Sequence, residues 1–261
     1  MKLYRIMYED QPRWAAERTA GELTLLARSP FEGIEYTPQL CPLSAQTVLA
    51  PATPSKIVAI GRNYRAHAKE LGNEVPSEPL LFLKPPSSLL AHGEAIVLPA
   101  QSQRVEHEAE LAVIIGRRAK HVSEEDALSY VFGYSCANDV TARDLQKKDV
   151  QFTRGKGFDT FCPLGPCIET VLYPQEQEVR CAVNGQPRQE GNTRDMVFSV
   201  AFLIAYISSV MTLEVGDVII TGTPQGVGPL LQGDTVEVSI GGVGVLSNGV
   251  RGQEPVGRGD Y

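Results

Sequence analysis

A chain of 261 residues, 43% hydrophobic and 21% charged, is long enough to bury about three quarters of its unfolded surface as one large domain, or as a large domain with a small appendage. Its 24 Lys and Arg against 31 Asp and Glu leave a formal charge of −7, which excludes the basic footprint of a nucleic-acid binder and gives no attraction to an anionic membrane. Five cysteines, an odd number with no Cys-x-x-Cys, fit reduced thiols in the cytoplasm better than a disulfide framework.

Residues 1–50 carry short alternating runs at Leu3 to Met7 and Glu22 to Ala27, broken by Gly21, Pro30 and Gly33, and are expected to form a small β-rich lobe. Pro51-Ala52-Thr53-Pro54-Ser55 reads as a linker, because two prolines in four residues interrupt both ladder and helix. The larger domain is expected over 56–248. Its apolar runs are short and strand-like: Ile57 to Ile60, Leu80 to Leu83, Leu111 to Ile115, Val131 to Cys136, Val218 to Thr221 and Val236 to Ile240. Together with 24 Gly and 18 Pro and few helical windows, they predict a β-dominated α+β fold instead of a regular βαβ repeat. Met196 to Leu213 has no charged side chain, yet its Ser, Tyr and Thr content and its length fit a buried helix better than a bilayer span, with Asn192 to Asp195 supplying helix-starting residues. Residues 251–261 are expected to be a loose tail.

Glu108 and Glu110 open the run Leu111 to Ile115, and in a strand residues i and i+2 face one way, so two carboxylates point into the same space. Alone, this also describes an edge strand with its polar face in water. Asp139 ends another apolar run just before a helix start, where Thr141 and Asp144 have capping-box spacing, and could simply cap that helix. Three oxygen ligands with no Cys or His among them suit a hard ion such as Mg²⁺, with positions left for water and substrate. His107 points to the opposite strand face and is set aside. His67 and Glu70 are i and i+3 on a short helical pattern, where the carboxylate can fix the imidazole tautomer; an incidental surface histidine is the alternative. Lys156 lies between Gly155 and Gly157, either a solvated loop lysine or a cation for an anionic substrate. Thr221-Gly222-Thr223-Pro224 follows a strand but lacks dinucleotide-loop spacing.

Gly61-Arg62-Asn63-Tyr64, His67 and Glu70, Leu81-Phe82-Leu83-Lys84-Pro85, His107-Glu108-Ala109-Glu110-Leu111, Asn138 to Asp144, Lys156 and Thr221 to Pro224, in this order, closely resemble the fumarylacetoacetate hydrolase family over residues 56–248. The resemblance implies a mixed β-sandwich roll, a divalent metal (Mg²⁺, Mn²⁺ or Ca²⁺) on Glu108, Glu110 and Asp139, and a His67–Glu70 acid/base dyad. It further implies Lys156 at the reaction, Thr223, Arg143 and Gln146 toward the substrate, and a homodimer. The pattern is the shorter one of acylpyruvases, oxaloacetate decarboxylases or tautomerases and 2-hydroxyhepta-2,4-diene-1,7-dioate isomerases. Around Asn63 it departs from the larger fumarylacetoacetases, which have an acidic metal ligand there. The implied activity is enolate chemistry on small 2-oxo or 2,4-dioxo acids, with C–C hydrolysis of an acylpyruvate as the first expectation and isomerisation, decarboxylation or tautomerisation as alternatives. A non-catalytic metal or small-anion binding protein is the rival of another class.

Overall fold

The structure, a computed structural model, describes residues 1–254. One large sheet runs in the order Tyr36–Pro42, Glu22–Leu26, Gln11–Thr19, Lys2–Tyr8, Cys162–Glu169, Val131–Asn138, Ala109–Ile115, Val218–Ile220, Ile57–Gly61 and Leu80–Lys84. Along this path every pairing is antiparallel except Val218–Ile220 with Ile57–Gly61. A five-stranded sheet of Gln186–Asn192, Glu178–Val183, Thr235–Ile240, Gly244–Gly252 and Ala95–Leu98 packs against it. The β-dominated α+β reading holds.

The two sheets share one apolar core, in which Val179, Cys181, Val238, Ile240 and Leu246 meet Leu111, Val113, Cys136 and Cys167. Each fully buried aliphatic side chain here contributes roughly 1.5–3 kcal/mol. That layer is the rigid frame against which a group of buried charges can be held in place. All five cysteines are buried and unpaired.

The first four strands extend the large sheet, with Lys2 opposite Glu169 and Leu3 opposite Ile168. Pro51, Ala52 and Pro54 of the linker stretch are buried, and Asp217, fully buried, accepts hydrogen bonds from the Ser55 and Lys56 backbone N–H groups and the Ser55 hydroxyl. Strands missed in the sequence have plain reasons. Cys162–Glu169 contains Pro163, Gly165 and Pro166, which read as breakers. Gln186–Asn192 is polar throughout because it is an edge strand of which only Gln189 is fully buried.

Three expectations need correction. The long helix is shorter: Ser199 caps Val200–Val210, while Asn192 caps only the 3₁₀ turn Thr193–Asp195. Thr141 and Asp144 form no capping box, since the Thr141 hydroxyl donates to the Asp139 carbonyl and Asp144 accepts from Ser102 and the Gln103 N–H. Arg251 and Gly252 are not tail but the end of a strand; residues 255–261 lie outside the described part. Among the described residues no helix is long and apolar enough to cross a membrane.

Candidate active site

Glu108 falls in a one-residue gap between Val105–His107, which pairs with Thr141–Ala142 and Gly228–Pro229 in a small sheet, and Ala109–Ile115 of the large sheet. Its N–H donates to Asn138 Oδ1 at 2.9 Å, and its carbonyl accepts from the Asp139 N–H at 2.8 Å. These two bonds fasten the end of the Val131–Asn138 strand to Glu108. They bring Asp139 beside Glu108 and Glu110, so that the three carboxylates offer oxygen atoms within 4.8 Å of one another, all buried.

Burying four carboxylates, Glu106 included, costs several kcal/mol for each charge left without a counter-ion. Lys156, only 3% exposed, meets Glu108 Oε2 at 2.8 Å and Asp139 Oδ2 at 2.5 Å. Lys84, 1% exposed, lies 2.7 Å from Asp139 Oδ1, out of hydrogen-bond alignment. Arg143 is engaged on every side: Nε to Glu106 at 2.7 Å, Nη2 to Glu108, and Nη1 to Gln146 Oε1 at 2.6 Å. Burial alone would raise the Glu108 pKa, but the Lys156 and Arg143 charges outweigh it and hold the carboxyl well below the usual range. Glu110 goes the other way. Burial, then the charges of Asp139 and Glu108, push its pKa up, and its one hydrogen bond comes from the Gly222 N–H at 2.6 Å. It has no ion-pair partner among the described residues.

That is the test of whether a metal fits. Three hard oxygen donors converge, one of them buried without a cation, and neither sulfur nor imidazole stands among them; this donor set suits Mg²⁺, Mn²⁺ or Ca²⁺. The Gly222 N–H reaches Glu110 only because residue 222 is glycine. With φ at +97°, an added Cβ would lie 2.7 Å from Asn63 Cβ.

A cavity of about 240 Å³ opens over these groups, lined in part by His67, Glu108, Glu110, Arg143, Gln146, Lys156 and Thr223. Asp139 sits behind Lys156, and Glu70 behind His67. The short helix Arg65–Glu70 presents His67, 5% exposed, with Nδ1 at 3.3 Å from Glu70 Oε2. Glu70 is itself held by the Gly226 N–H. The structure therefore brings every sequence-predicted site residue to one cavity or directly behind its wall. The readings of Lys156 as a solvated loop lysine and of Glu-x-Glu as a polar edge both fail on burial. Thr223 lines the cavity, but its hydroxyl is already engaged, donating to the Ala109 carbonyl and accepting from Gln189 Nε2. His107 does lie on the other strand face, bonded to Gln189.

Sequence reasoning gave no role to Lys84 or Glu106. A lysine ending an apolar edge strand reads as a charge that keeps the edge from aggregating, whereas this one is turned inward. Glu106 did carry a signal: Glu106, Glu108 and Glu110 form an unbroken i, i+2 series. Lys84→Met is expected to destabilise the metal-free protein by about 3–5 kcal/mol, because Asp139 is left short of a buried partner. Chemical denaturation measures this, and a loss under about 1 kcal/mol would refute the assigned role.

A fold and site of this kind define a class of enzyme. Residues 56–251 match the family described as fumarylacetoacetate (FAA) hydrolase C-terminal, and the chain belongs to that family. Among its relatives, the mitochondrial oxaloacetate decarboxylase of Dictyostelium discoideum is 48% identical over 198 residues, covering 73% of this chain and 91% of that protein. The mitochondrial oxaloacetate tautomerase of Arabidopsis thaliana is 48% identical over 195 residues, covering 72% and 87%. The crystal structure of 2-hydroxyhepta-2,4-diene-1,7-dioate isomerase from Mycobacterium marinum superposes with a TM-score of 0.90 at 41% identity, covering 98% of this chain and 100% of that one.

Proposed function

We propose that this protein is a divalent-metal enzyme that interconverts or cleaves small 2-oxo acids through their enol form, with oxaloacetate chemistry ahead of acylpyruvate hydrolysis. The observation that carries the proposal is the buried Glu110, without an ion-pair partner among the described residues, as one of three converging carboxylates in a cavity whose wall presents His67. Glu108, Glu110 and Asp139 would hold the cation, which when bound supplies Lewis acidity to the carboxylate and 2-oxo oxygens of the substrate.

The chain's own groups do the rest. Glu70, accepting from His67 Nδ1–H, leaves Nε2 free to take a proton from substrate C3 and to return it, which moves the substrate between keto and enol forms. Burial would lower the Lys156 pKa, yet the neighbouring Asp139 and Glu108 carboxylates raise it, so the side chain stays an ammonium beside the oxygen on which charge develops. If the bond from C3 to a distal carboxylate breaks instead, its electron pair ends on the same oxygen and CO₂ leaves. Oxaloacetate moves ahead of the acylpyruvates, reversing the expectation from sequence, because two relatives at 48% identity are named for it. Hydrolysis remains the second reading on one observation: a histidine backed by a carboxylate is also the arrangement that activates a water.

The test is a panel of oxaloacetate, acetylpyruvate, fumarylpyruvate and 2-hydroxyhepta-2,4-diene-1,7-dioate with Mg²⁺ or Mn²⁺, followed by loss of enol absorbance and by NMR of the products. We expect kcat/KM for oxaloacetate to exceed that of the acylpyruvates by roughly 10²-fold. Acylpyruvate cleavage as the fastest reaction would favour the second reading, and no turnover of any of the four would overturn both.

A further inference from the structure

Two cations line the cavity without any part in the chemistry above. Arg62 directly follows the Ile57–Gly61 strand, and Lys147 lies on the helix Arg143–Asp149, one turn beyond Arg143. Arg143 and Lys156 are both committed to buried carboxylates. Arg62 and Lys147 have neither an ion pair nor a side-chain hydrogen bond among the described residues, although both face the cavity that holds Glu108 and Glu110.

The backbone under Arg62 is held in an uncommon state. Its φ is +60°, the left-handed region, which costs a non-glycine residue roughly 1 kcal/mol or more. The surroundings impose it. On one side a Cβ at Gly61 would come within 2.9 Å of Leu80 Cδ2, so strand and turn are closely packed. On the other, Asn63 is fully buried and clamped at four points: its Nδ2 donates to the carbonyls of Thr221 and Phe198, its Oδ1 accepts from the Phe198 N–H, and its carbonyl accepts from the Val197 N–H. A left-handed residue leaves the up-down alternation of the strand, and here that change falls at a residue that lines the cavity. The strain is maintained at a residue whose side chain has no structural partner, which is the arrangement expected of a pre-oriented ligand group.

We propose that Arg62, assisted by Lys147, binds a second carboxylate at the distal end of the substrate, so that the site selects dicarboxylic 2-oxo acids over their monocarboxylic counterparts. This rests on the reading that the cavity takes 2-oxo acids, and it adds which of them. The guanidinium fork suits a carboxylate bidentately and is carried on a backbone fixed by the Asn63 clamp, whereas Lys147, exposed on its helix, adds a screened point charge. The division of labour follows: the buried acidic triad and Lys156 handle the 2-oxo end, and Arg62 reads the far end.

The experiment compares binding of 2-oxoglutarate and 2-oxopentanoate, acids of equal chain length that differ in the distal carboxylate, to the Mg²⁺-loaded protein by titration calorimetry, for the wild type, Arg62→Gly, Arg62→Lys and Lys147→Gln. Glycine accepts the positive φ without strain, so Arg62→Gly removes the side chain and keeps the fold. We expect the wild type to bind the dicarboxylate roughly 30-fold more tightly, Arg62→Gly to lose most of that ratio through the dicarboxylate alone, Arg62→Lys to retain part of it, and Lys147→Gln to lose roughly 3-fold or less. Equal affinities in the wild type, or an Arg62→Gly variant that weakens both acids alike, would overturn the proposal. Discrimination without any turnover of oxaloacetate would sink the proposed activity and leave this inference standing; turnover without discrimination would do the reverse.

Discussion

Glu110→Gln is expected to make the metal-free protein more stable while removing its response to divalent cations. Removing a metal ligand usually harms the apo fold little; here the sign should be positive, because Glu110 is the one member of the triad without an ion-pair partner and stands against the charges of Asp139 and Glu108. A neutral amide of the same shape can still accept from the Gly222 N–H. The gain should be about 1–3 kcal/mol, the scale of relieving an uncompensated buried charge. Its pH dependence is fixed by the raised carboxyl. Below the unfolded value of roughly 4.3 both states carry the proton, and wild type and variant should match. As the pH rises through that value toward the raised folded one, only the wild type loses stability, so the advantage of the variant grows. Thermal melts from pH 4 to 8 without metal, then with Mn²⁺, check both halves. Turnover should fall on the order of 10³-fold. An apo variant less stable than the wild type at pH 8 would mean that Glu110 is compensated after all.

The second large effect is expected at the dyad. His67→Ala should lower kcat by roughly 10²–10⁴-fold, the range for losing a positioned proton carrier, with Mn²⁺ affinity unchanged because His67 is not among the converging ligands. Glu70→Gln should cost less, roughly 10-fold, since it keeps the link to Gly226 but no longer accepts from the imidazole as an anion. The pair distinguishes chemistry from binding: KM for oxaloacetate should move by less than about 3-fold in both. If His67→Ala kept full turnover at saturating substrate and metal, the histidine would not be the proton carrier.

The parts of the site legible in the sequence were those governed by short-range spacing. Glu108 with Glu110, and His67 with Glu70, each lie within one strand or one helical turn, so local periodicity already aims them together. Asp139 could be grouped with them by residue type and by the family resemblance but not by spacing, because what seats it is one backbone bond and one bond to the Asn138 side chain across about 30 residues of chain. Lys84 was illegible for a sharper reason. Its neighbours Leu80 and Leu83 are half-exposed on an edge strand, and nothing local reveals that its own side chain turns in to meet an aspartate 55 positions away. Among the strands, an uninterrupted apolar run with both faces buried was legible, as in Ala109–Ile115. The proline-rich Cys162–Glu169 and the polar edge Gln186–Asn192 were lost because tertiary packing, and not their composition, makes them strands.

The one-residue gap that Glu108 occupies has a consequence for how such a protein can change. Both flanking strands are locked in register with partners in different sheets, Glu106 opposite Thr141 and Pro229, Ala109 opposite Asn138. Inserting or deleting a single residue anywhere from 106 to 110 would turn one carboxylate onto the wrong face, and neither sheet could absorb the slip. The acidic centre therefore tolerates no change in length, only point replacement. Arg62 and Lys147, half-buried and exposed respectively, can each be replaced by point substitution without touching that centre. Drift in this lineage should accordingly rewrite which acids are accepted long before it alters what is done to them.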